Sequence, residues 1–487
     1  MTRRPPSCRL AAWLACASLS GAAAVLGLSP ERGATQARET RAERLTRIVQ
    51  DLRAATRIPG VAVALADGQT PLTVTAGVAL LEHPVPVDSS TRFRLASVSK
   101  AVTAVALAAL VQKDLVDLDR PIGQYLGGLP VPIRVITPRQ LAGHLSGIRH
   151  YTAADTAPGT NIELRHYPSL RDALPIFVRD PLGSEPGAEY RYSTFAFTLL
   201  GVVMEAAADR GFEELIDTEL SSPLGLTTLG ADVPERIVPG RTGFFERGDA
   251  DAIQHASYVD SSHKVPGAGL MASAPELAAL GLALTDSRLL PARARAALFT
   301  TQRTSDARET GVGLAWRIDR DPLQRTVWHH EGSMKGARSA LVIYPGEGLA
   351  ISLLSNLTAT PLFAFETAAS LVASALAPRT AACPAGTAGP YGGTAVMDGI
   401  ETQAEGALRA EGGGVRGMLA ISEVALPVDR QLPVVDGWCG PDGLTLIVLV
   451  GPDFGLVPVR MTPSNGTLTG STELQGGHRL ALSLARR

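Results

Sequence analysis

The chain has 487 residues, enough for about three units at roughly 150 residues per domain and for a large core that needs no staples. With 45 Lys plus Arg against 47 Asp plus Glu, the net charge is −2, which argues against nucleic acid as the main partner. Hydrophobic residues at 45% exclude a wholly disordered chain, and 49 Gly with 34 Pro, in no triplet period, mark a loop-rich chain rather than a collagen.

Residues 1–28 read as an export signal. Arg3, Arg4 and Arg9 make a basic start, Leu10 to Leu28 is an uncharged apolar run, and Ala22 to Ala24 suit cleavage. The apolar run is also long enough to stay as a membrane anchor, so release and tethering both remain open, with a periplasmic or extracellular destination in either case. Residues 29–44 are a polar linker. Helical spacing then runs through Leu45, Ile48, Val49 and Leu52 and breaks at Pro59-Gly60. Two β-branched runs, 61–67 and 72–80, read as a hairpin. Residues 97–118 read as a long helix. Its Ala101 to Val111 stretch is apolar on nearly all faces, which predicts burial in a large core, and is too short to span a membrane.

From 120 to 290 the pattern is punctuated by Pro and mostly helical, as at 198–210 and 274–284. Strand-like runs follow at 311–319, 325–332, 337–345 and 348–356, then a helix at 362–376. The economical architecture for 45–378 is α+β: one antiparallel sheet built from both ends of the segment, with an all-helical insertion. Beyond Pro378 the chain turns Gly-rich, with short alternating runs at 443–450, 455–461 and 479–485. These predict a separate small all-β domain over 383–487, a barrel or a sandwich. Cys8 and Cys16 lie in the leader, which leaves Cys383 and Cys439 as an even pair in an exported chain. One disulfide is the expected reading and two independent buried thiols the alternative. Neither cysteine has metal-ligand spacing and the nine histidines are scattered, so no metal and no cofactor is expected.

Only four of the 45 basic residues are lysines: Lys100, Lys113, Lys264 and Lys335. A lysine kept in such a chain serves where an amine must lose its proton, which guanidinium does not do; codon bias is the plain alternative. Ser97-Val98-Ser99-Lys100 opens the apolar helix. Residues three apart share a helix face, so the amine is expected beside the hydroxyl. If burial keeps it neutral, it can accept the serine proton. Ser97's own N–H, at the helix start, would be half of an oxyanion hole. The pattern alone is weak, because Ser261-Ser262-His263-Lys264 repeats it. Val265-Pro266-Gly267 follows and is expected not to continue a helix, which marks that copy as a loop decoy. Tyr192-Ser193-Thr194 stands at a loop–helix junction, where a tyrosine with a cation-lowered pKa would shuttle protons. In His330-Glu331-Gly332-Ser333, His329 and His330 face opposite ways along a strand, and Gly332 leaves room for a substrate backbone. A packed tyrosine and a structural histidine are the plain alternatives.

Taken in order, Ser-x-x-Lys, a Tyr-x-Asn-like triplet and a Lys-Thr-Gly-like triplet resemble the serine β-lactamase and penicillin-binding-protein superfamily. The chain is most similar to its class C-type branch. The segments FRLASVSKAVTAVAL (93–107), GHLSGIRHY (143–151) and YSTF (192–195) resemble the mitochondrial β-lactamase-like serine proteases and their bacterial relatives. The resemblance spans about residues 45–375 and leaves 383–487 unexplained. It implies a β-lactamase/transpeptidase-like fold with Ser97 as the acylated nucleophile. It further implies that Lys100 and Tyr192 share general-base and general-acid work as a coupled pair. The N–H groups of Ser97 and Ser333 would form the oxyanion hole, with Thr194, His330 and Gly332 on the substrate side. His144-Leu145-Ser146-Gly147 matches a family landmark read as structural.

Two departures weaken the case for a dedicated β-lactamase. Thr194 stands where many have Asn and reaches less far toward a substrate amide, and His330 stands where a lysine would meet a substrate carboxylate. The expected activity is that of an exported serine hydrolase forming an acyl-enzyme with an amide or ester, peptidase before esterase before β-lactamase. A slowly acylating binder of cell-wall peptides or β-lactams and a self-assembling scaffold are the rivals. The expected partner is a peptide or small-molecule substrate; the oligomeric state and the role of the last domain stay open. No Gly-x-Ser-x-Gly elbow and no His-x-His-x-Asp cluster occurs, which sets aside the α/β-hydrolase and metal-dependent β-lactamase readings.

Overall fold

The computed structural model describes residues 39–487 apart from 250–251, 359–364, 378–382, 385, 412–413, 423–430, 442, 451–454 and 475–477. The signal or anchor expected over 1–28, and the linker up to residue 38, lie outside the described residues. The first helix, Arg41–Thr56, starts before the boundary expected at residue 45. The Thr40 side chain accepts from the Glu43 N–H and Glu43 returns a carboxylate to the Thr40 N–H at 2.9 Å, a capping box that nucleates the helix early. Thr40 and Glu43 are also the two residues that make the linker look merely polar.

The N-terminal part supplies β1 (Gly60–Ala66), β2 (Leu72–Leu80) and β3 (Val85–Pro86). The middle supplies short strands: β4 (Phe93–Arg94), β5 (Gly230–Ala231), β6 (Phe245–Arg247), β7 (Ile253–His255) and β8 (Leu270–Ala272). β9 (Arg317–Arg320), β10 (Thr326–Met334), β11 (Ala337–Tyr344) and β12 (Leu349–Ser355) follow. Among the described residues the main sheet runs β3-β2-β1-β12-β11-β10-β9, with β1 antiparallel to both β2 and β12. The two ends of the segment therefore meet inside one sheet.

Three expectations change. The run at 311–319 becomes strand only from Arg317, because Gly311 and Ala315 take left-handed φ values of 71° and 66° and interrupt the extension. The insertion is not all-helical: β4, β8 and β5 form one small sheet and β6 with β7 another. The helix opened by Ser97 ends at Gln112, not 118. Asp114 turns left-handed (φ 56°), and the N–H groups of Leu115 and Val116 fold back onto the Leu110 carbonyl.

The Val98–Gln112 helix is buried along nearly its whole length and packs with the Thr194–Ala208 helix in the main core. On the other sheet face, Ile48 and Leu52 meet Leu371 and Val372 of the Phe365–Leu376 helix. The same cluster includes Trp438, Ile447, Leu449 and Leu456 from the C-terminal strands, so the two parts of the chain share apolar packing. Those strands are β13 (Gly389–Met397), β14 (Ile400–Glu411), β15 (Gly414–Ile421), β16 (Gln431–Gly440), β17 (Gly443–Leu449), β18 (Leu456–Ser464), β19 (Thr467–Leu474) and β20 (His478–Arg486). They run consecutively and close, β20 on β13, into a barrel. Leu, Val, Ile and Met side chains such as Leu419, Leu446, Val459 and Leu482 fill its interior, as a barrel of this size requires. Cys383 and Cys439 form a disulfide with Cα atoms 5.2 Å apart. No helix among the described residues is long and apolar enough to cross a membrane.

Candidate active site

Ser97 sits at the N-cap of the Val98–Gln112 helix, half-buried. The chain enters it sharply. Ala96 adopts a left-handed φ of 46°, the Leu95 N–H donates to the Leu270 carbonyl at 2.8 Å, and the Leu95 carbonyl accepts from Val98 N–H at 3.0 Å. The small β4–β8 sheet thus fixes the approach to the hydroxyl. One turn on, Lys100 is fully buried, with Nζ 3.3 Å from Ser97 Oγ, 2.9 Å from Thr194 Oγ1 and 2.7 Å from the Gly267 carbonyl oxygen. Burial drives the amine's pKa well below its ordinary value. A neutral amine has two N–H donors and one lone pair. It can donate to Gly267 and Thr194 while the lone pair faces the Ser97 hydroxyl.

Gly267 was missed by sequence reasoning, and it lies in the segment expected to break a helix. Val265–Ala268 is a short helix after all, because Pro266 occupies the first turn, where no N–H is needed. A Cβ at Gly267 would stand 2.6 Å from Thr194 Cγ2, so only glycine brings that carbonyl to the amine. The Val-Pro-Gly run was the available signal. The second Ser-x-x-Lys copy does differ from the first, as expected: Lys264 Nζ is held 2.7 Å from Glu163, whose other oxygen receives Lys335 at 2.9 Å.

The Tyr192 ring lies with its centroid 4.8 Å from Lys100 Nζ. Burial pushes its pKa up to about 12, against a lowering hydrogen bond from Ser97 and the charge of Arg317. The expected cation-lowered tyrosine is therefore corrected: the cleft holds Tyr192 as a protonated phenol, because desolvation outweighs the cation. Two histidines fix this segment. His144 Nδ1 accepts the Ser193 N–H and His150 Nδ1 accepts the Thr194 N–H, both at 3.2 Å. A ring nitrogen that accepts must be unprotonated, in line with the lowered pKa values of both, driven first by burial and then by Lys100; that of His150 falls to about 4. The His144 ring also packs against that of Tyr192, tilted by 37° with centroids 4.5 Å apart, which gives the 144–147 landmark a packing contact at the site.

Thr194 departs from its expected place on the substrate side. It is 2% exposed, and its hydroxyl accepts from Lys100 Nζ at 2.9 Å. Gly332 departs likewise. A Cβ there would meet Ser339 Oγ at 2.2 Å, the Leu95 carbonyl at 2.3 Å and Ser97 N at 3.0 Å. The missing side chain makes room for the Leu95–Ser97 backbone of the chain itself, where the sequence reading expected a substrate backbone. It also brings β10 against Ser97, with exposed Ser333 next in line. His330 is buried, its Nδ1 2.7 Å from the Glu331 carbonyl oxygen, its ring 6.4 Å from that of Tyr192, and its pKa well lowered by burial and Lys100. His330 supplies no cation. A charge that acts on Tyr192, His144 and His330 alike is that of Arg317, which the sequence did not single out because it comes from an edge strand. Potential metal-ligand atoms converge, among the described residues, at His166, Glu235 and Asp260. There His166 Nδ1 lies 3.0 Å from Asp260 and 3.5 Å from Glu235, so hydrogen bonding accounts for the cluster.

A family model described as Beta-lactamase matches residues 45–376, more than half of the chain. The chain is 24% identical over 439 residues to the mitochondrial serine beta-lactamase-like protein LACTB of Mus musculus, covering 68% of this chain and 79% of that one. It is 28% identical over 304 residues to a D-aminopeptidase of Gluconobacter oxydans, covering 61% of this chain and 56% of the relative. Its fold is similar to that of a D-stereospecific amidohydrolase from Streptomyces sp., with a TM-score of 0.57 and 23% identity over 68% of this chain and 98% of that one. With a serine hydroxyl and a buried lysine amine at the start of the central helix, the chain belongs to the beta-lactamase family and is one of its serine hydrolases.

Proposed function

We propose that the protein is an exported hydrolase that forms an acyl-enzyme on Ser97 with an amide or ester substrate. The observation that carries this is the Lys100 amine, buried, low in pKa and 3.3 Å from the Ser97 hydroxyl. In the proposed cycle Ser97 Oγ attacks the substrate carbonyl carbon while its proton passes to Lys100 Nζ. The oxyanion is met by the N–H groups of Ser97 and Ser333. As the carbonyl–leaving-group bond breaks, the Tyr192 phenol gives its proton to the leaving nitrogen or oxygen, and the Lys100 ammonium restores it. Water then repeats the sequence on the ester. The relative named for D-aminopeptidase activity supports an amide as the first substrate class to test. Export is supported by the basic-then-apolar composition of residues 1–28 and by the Cys383–Cys439 disulfide, which suits an oxidising compartment. The alternatives are a class C-type β-lactamase and a protein that acylates without turnover. A panel of D- and L-amino-acid amides, esters and a chromogenic cephalosporin, read by intact-mass spectrometry, separates them. One adduct is expected on Ser97, turned over fastest for amides or esters. An adduct that survives Ser97→Ala would overturn the assignment.

A further inference from the structure

We propose that the cavity between the β9–β10 edge of the main sheet, the Phe365–Leu376 helix and the barrel strands β19 and β20 is a binding site for a small organic ammonium compound. The cavity measures about 510 Å³, within the range of small-molecule sites. Glu366 stands in its wall from the helix side, 5% exposed, and its Oε2 has no hydrogen-bond partner among the described residues. A buried carboxylate oxygen without a donor is costly, and the cost falls when a ligand brings both N–H groups and positive charge. Asp319, Glu331 and Glu473 line the same cavity. Burial pushes the Glu366 carboxyl up to about 7; a hydrogen bond from its own backbone N–H opposes this, and the charges of Glu331 and Asp319 add to it.

A bare metal ion suits the place less well. Ligand atoms of the described residues converge within 4.8 Å at His166, Glu235 and Asp260, which is a different part of the molecule. An ammonium group needs no such convergence, because its donors spread tetrahedrally and an attached chain fills volume. Arg317, 3.9 Å from Glu331, and Arg479 also line the cavity, so a carboxylate carried by the same ligand would find partners. The site adjoins the catalytic cleft through one strand: His329 and Glu331 face the cavity, while His330 and Gly332 alternate toward Ser97.

The test uses the full-length protein carrying Ser97→Ala, which removes covalent chemistry. Calorimetric titration with n-butylammonium chloride, L-alanine, sodium butyrate and calcium chloride is compared across this protein and the added variants Glu366→Gln and Glu473→Lys. One-to-one binding of butylammonium or alanine, no binding of butyrate, and a loss of roughly tenfold or more in affinity in either variant is the expected result. Thermal melts of each variant establish that it is folded, and Glu473→Lys, on the barrel rim, keeps the test open if Glu366→Gln does not fold. No heat from either ammonium compound at millimolar concentration, equal affinity in both variants, or binding of calcium alone would overturn the proposal.

Discussion

Replacing Lys100 with Met tests the central claim, that a buried amine acts as a base only because it is uncharged. Methionine keeps the length and volume of the side chain and removes the nitrogen. The amine stands 3.3 Å from Ser97 Oγ, within reach for proton transfer, so its loss should cost a positioned base, about 10²–10⁴-fold in acylation rate, or about 3–5 kcal/mol of barrier. The stability effect has two opposed parts. The Gly267 carbonyl loses its donor, a cost of about 1–3 kcal/mol, while a strongly desolvated group leaves the core. The pH dependence separates them. Because the folded pKa is depressed, the unfolded chain binds a proton that the native protein does not. Native stability should then rise by about 1.4 kcal/mol per pH unit from the folded pKa up to the ordinary amine value of 10.5, and the Met variant should lack that slope. The assay is stopped-flow acylation with a chromogenic ester, alongside ¹³Cε NMR of lysine-labelled protein. With four lysines in the chain, the signal that vanishes on Lys100→Met identifies itself. The other three amines each face a carboxylate, Lys113 that of Glu219 and Lys264 and Lys335 that of Glu163; burial lowers Lys264 as well, but its carboxylate opposes that, whereas Lys100 has no countercharge. A Lys100 signal that titrates at the ordinary amine value, or a variant that acylates within tenfold of the parent, would refute the reasoning.

Gly332→Ala should lower kcat/KM by roughly a hundredfold, because a Cβ 2.3 Å from the Leu95 carbonyl must push β10 away from the nucleophile, and misplacements of about 1 Å cost that much; a steady-state assay with near-normal activity would contradict this. Burial raises the Glu163 carboxyl, but Lys264 and Lys335 overrule it and hold it at about 2. A depressed acid contributes stability above its unfolded value and loses it as pH falls, so acid unfolding between pH 5 and 2 should remove roughly 2 kcal/mol, allowing for solvent screening of a partly open pair. Glu163→Gln should abolish that component and leave Lys264 buried without its partner, which urea unfolding at pH 7 would show as a large loss. Reducing Cys383–Cys439, which closes a separation of 56 residues, should destabilise the barrel by up to about 4 kcal/mol; a melt of the barrel unchanged by reductant would exclude that contribution.

The β1–β2 hairpin, the β10–β12 run and the Thr194–Ala208 helix were legible because a two-residue or a 3.6-residue apolar period is a local property. The places that were misread have nonlocal or backbone causes. Residues 311–316 carry strand-forming side chains but bend at two left-handed positions, and β4, β5 and β8 are too short to show a period at all. Thr194 stands beside the Lys100 amine and Gly332 beside the Leu95–Ser97 backbone, rather than facing open space. Their partners, an amine 94 positions away and the backbone around Leu95 and Ser97, are invisible until the chain folds.

The two Ser-x-x-Lys copies mark where sequence stops. Residue spacing alone determined that Ser97 and Lys100 share a helix face, since three positions along a helix leave little freedom. The same spacing at Ser261 and Lys264 leads to a different chemistry. Lys264 folds against the Glu163 carboxylate and is held as an ion pair, whereas Lys100 folds against a carbonyl and two hydroxyls that offer no countercharge. Whether a lysine is a cation or a base is decided by what surrounds its nitrogen. Those neighbours, Thr194 and Gly267, are assembled only by tertiary packing, because the free energy of charging depends on the local dielectric and the nearest charges rather than on the residue itself.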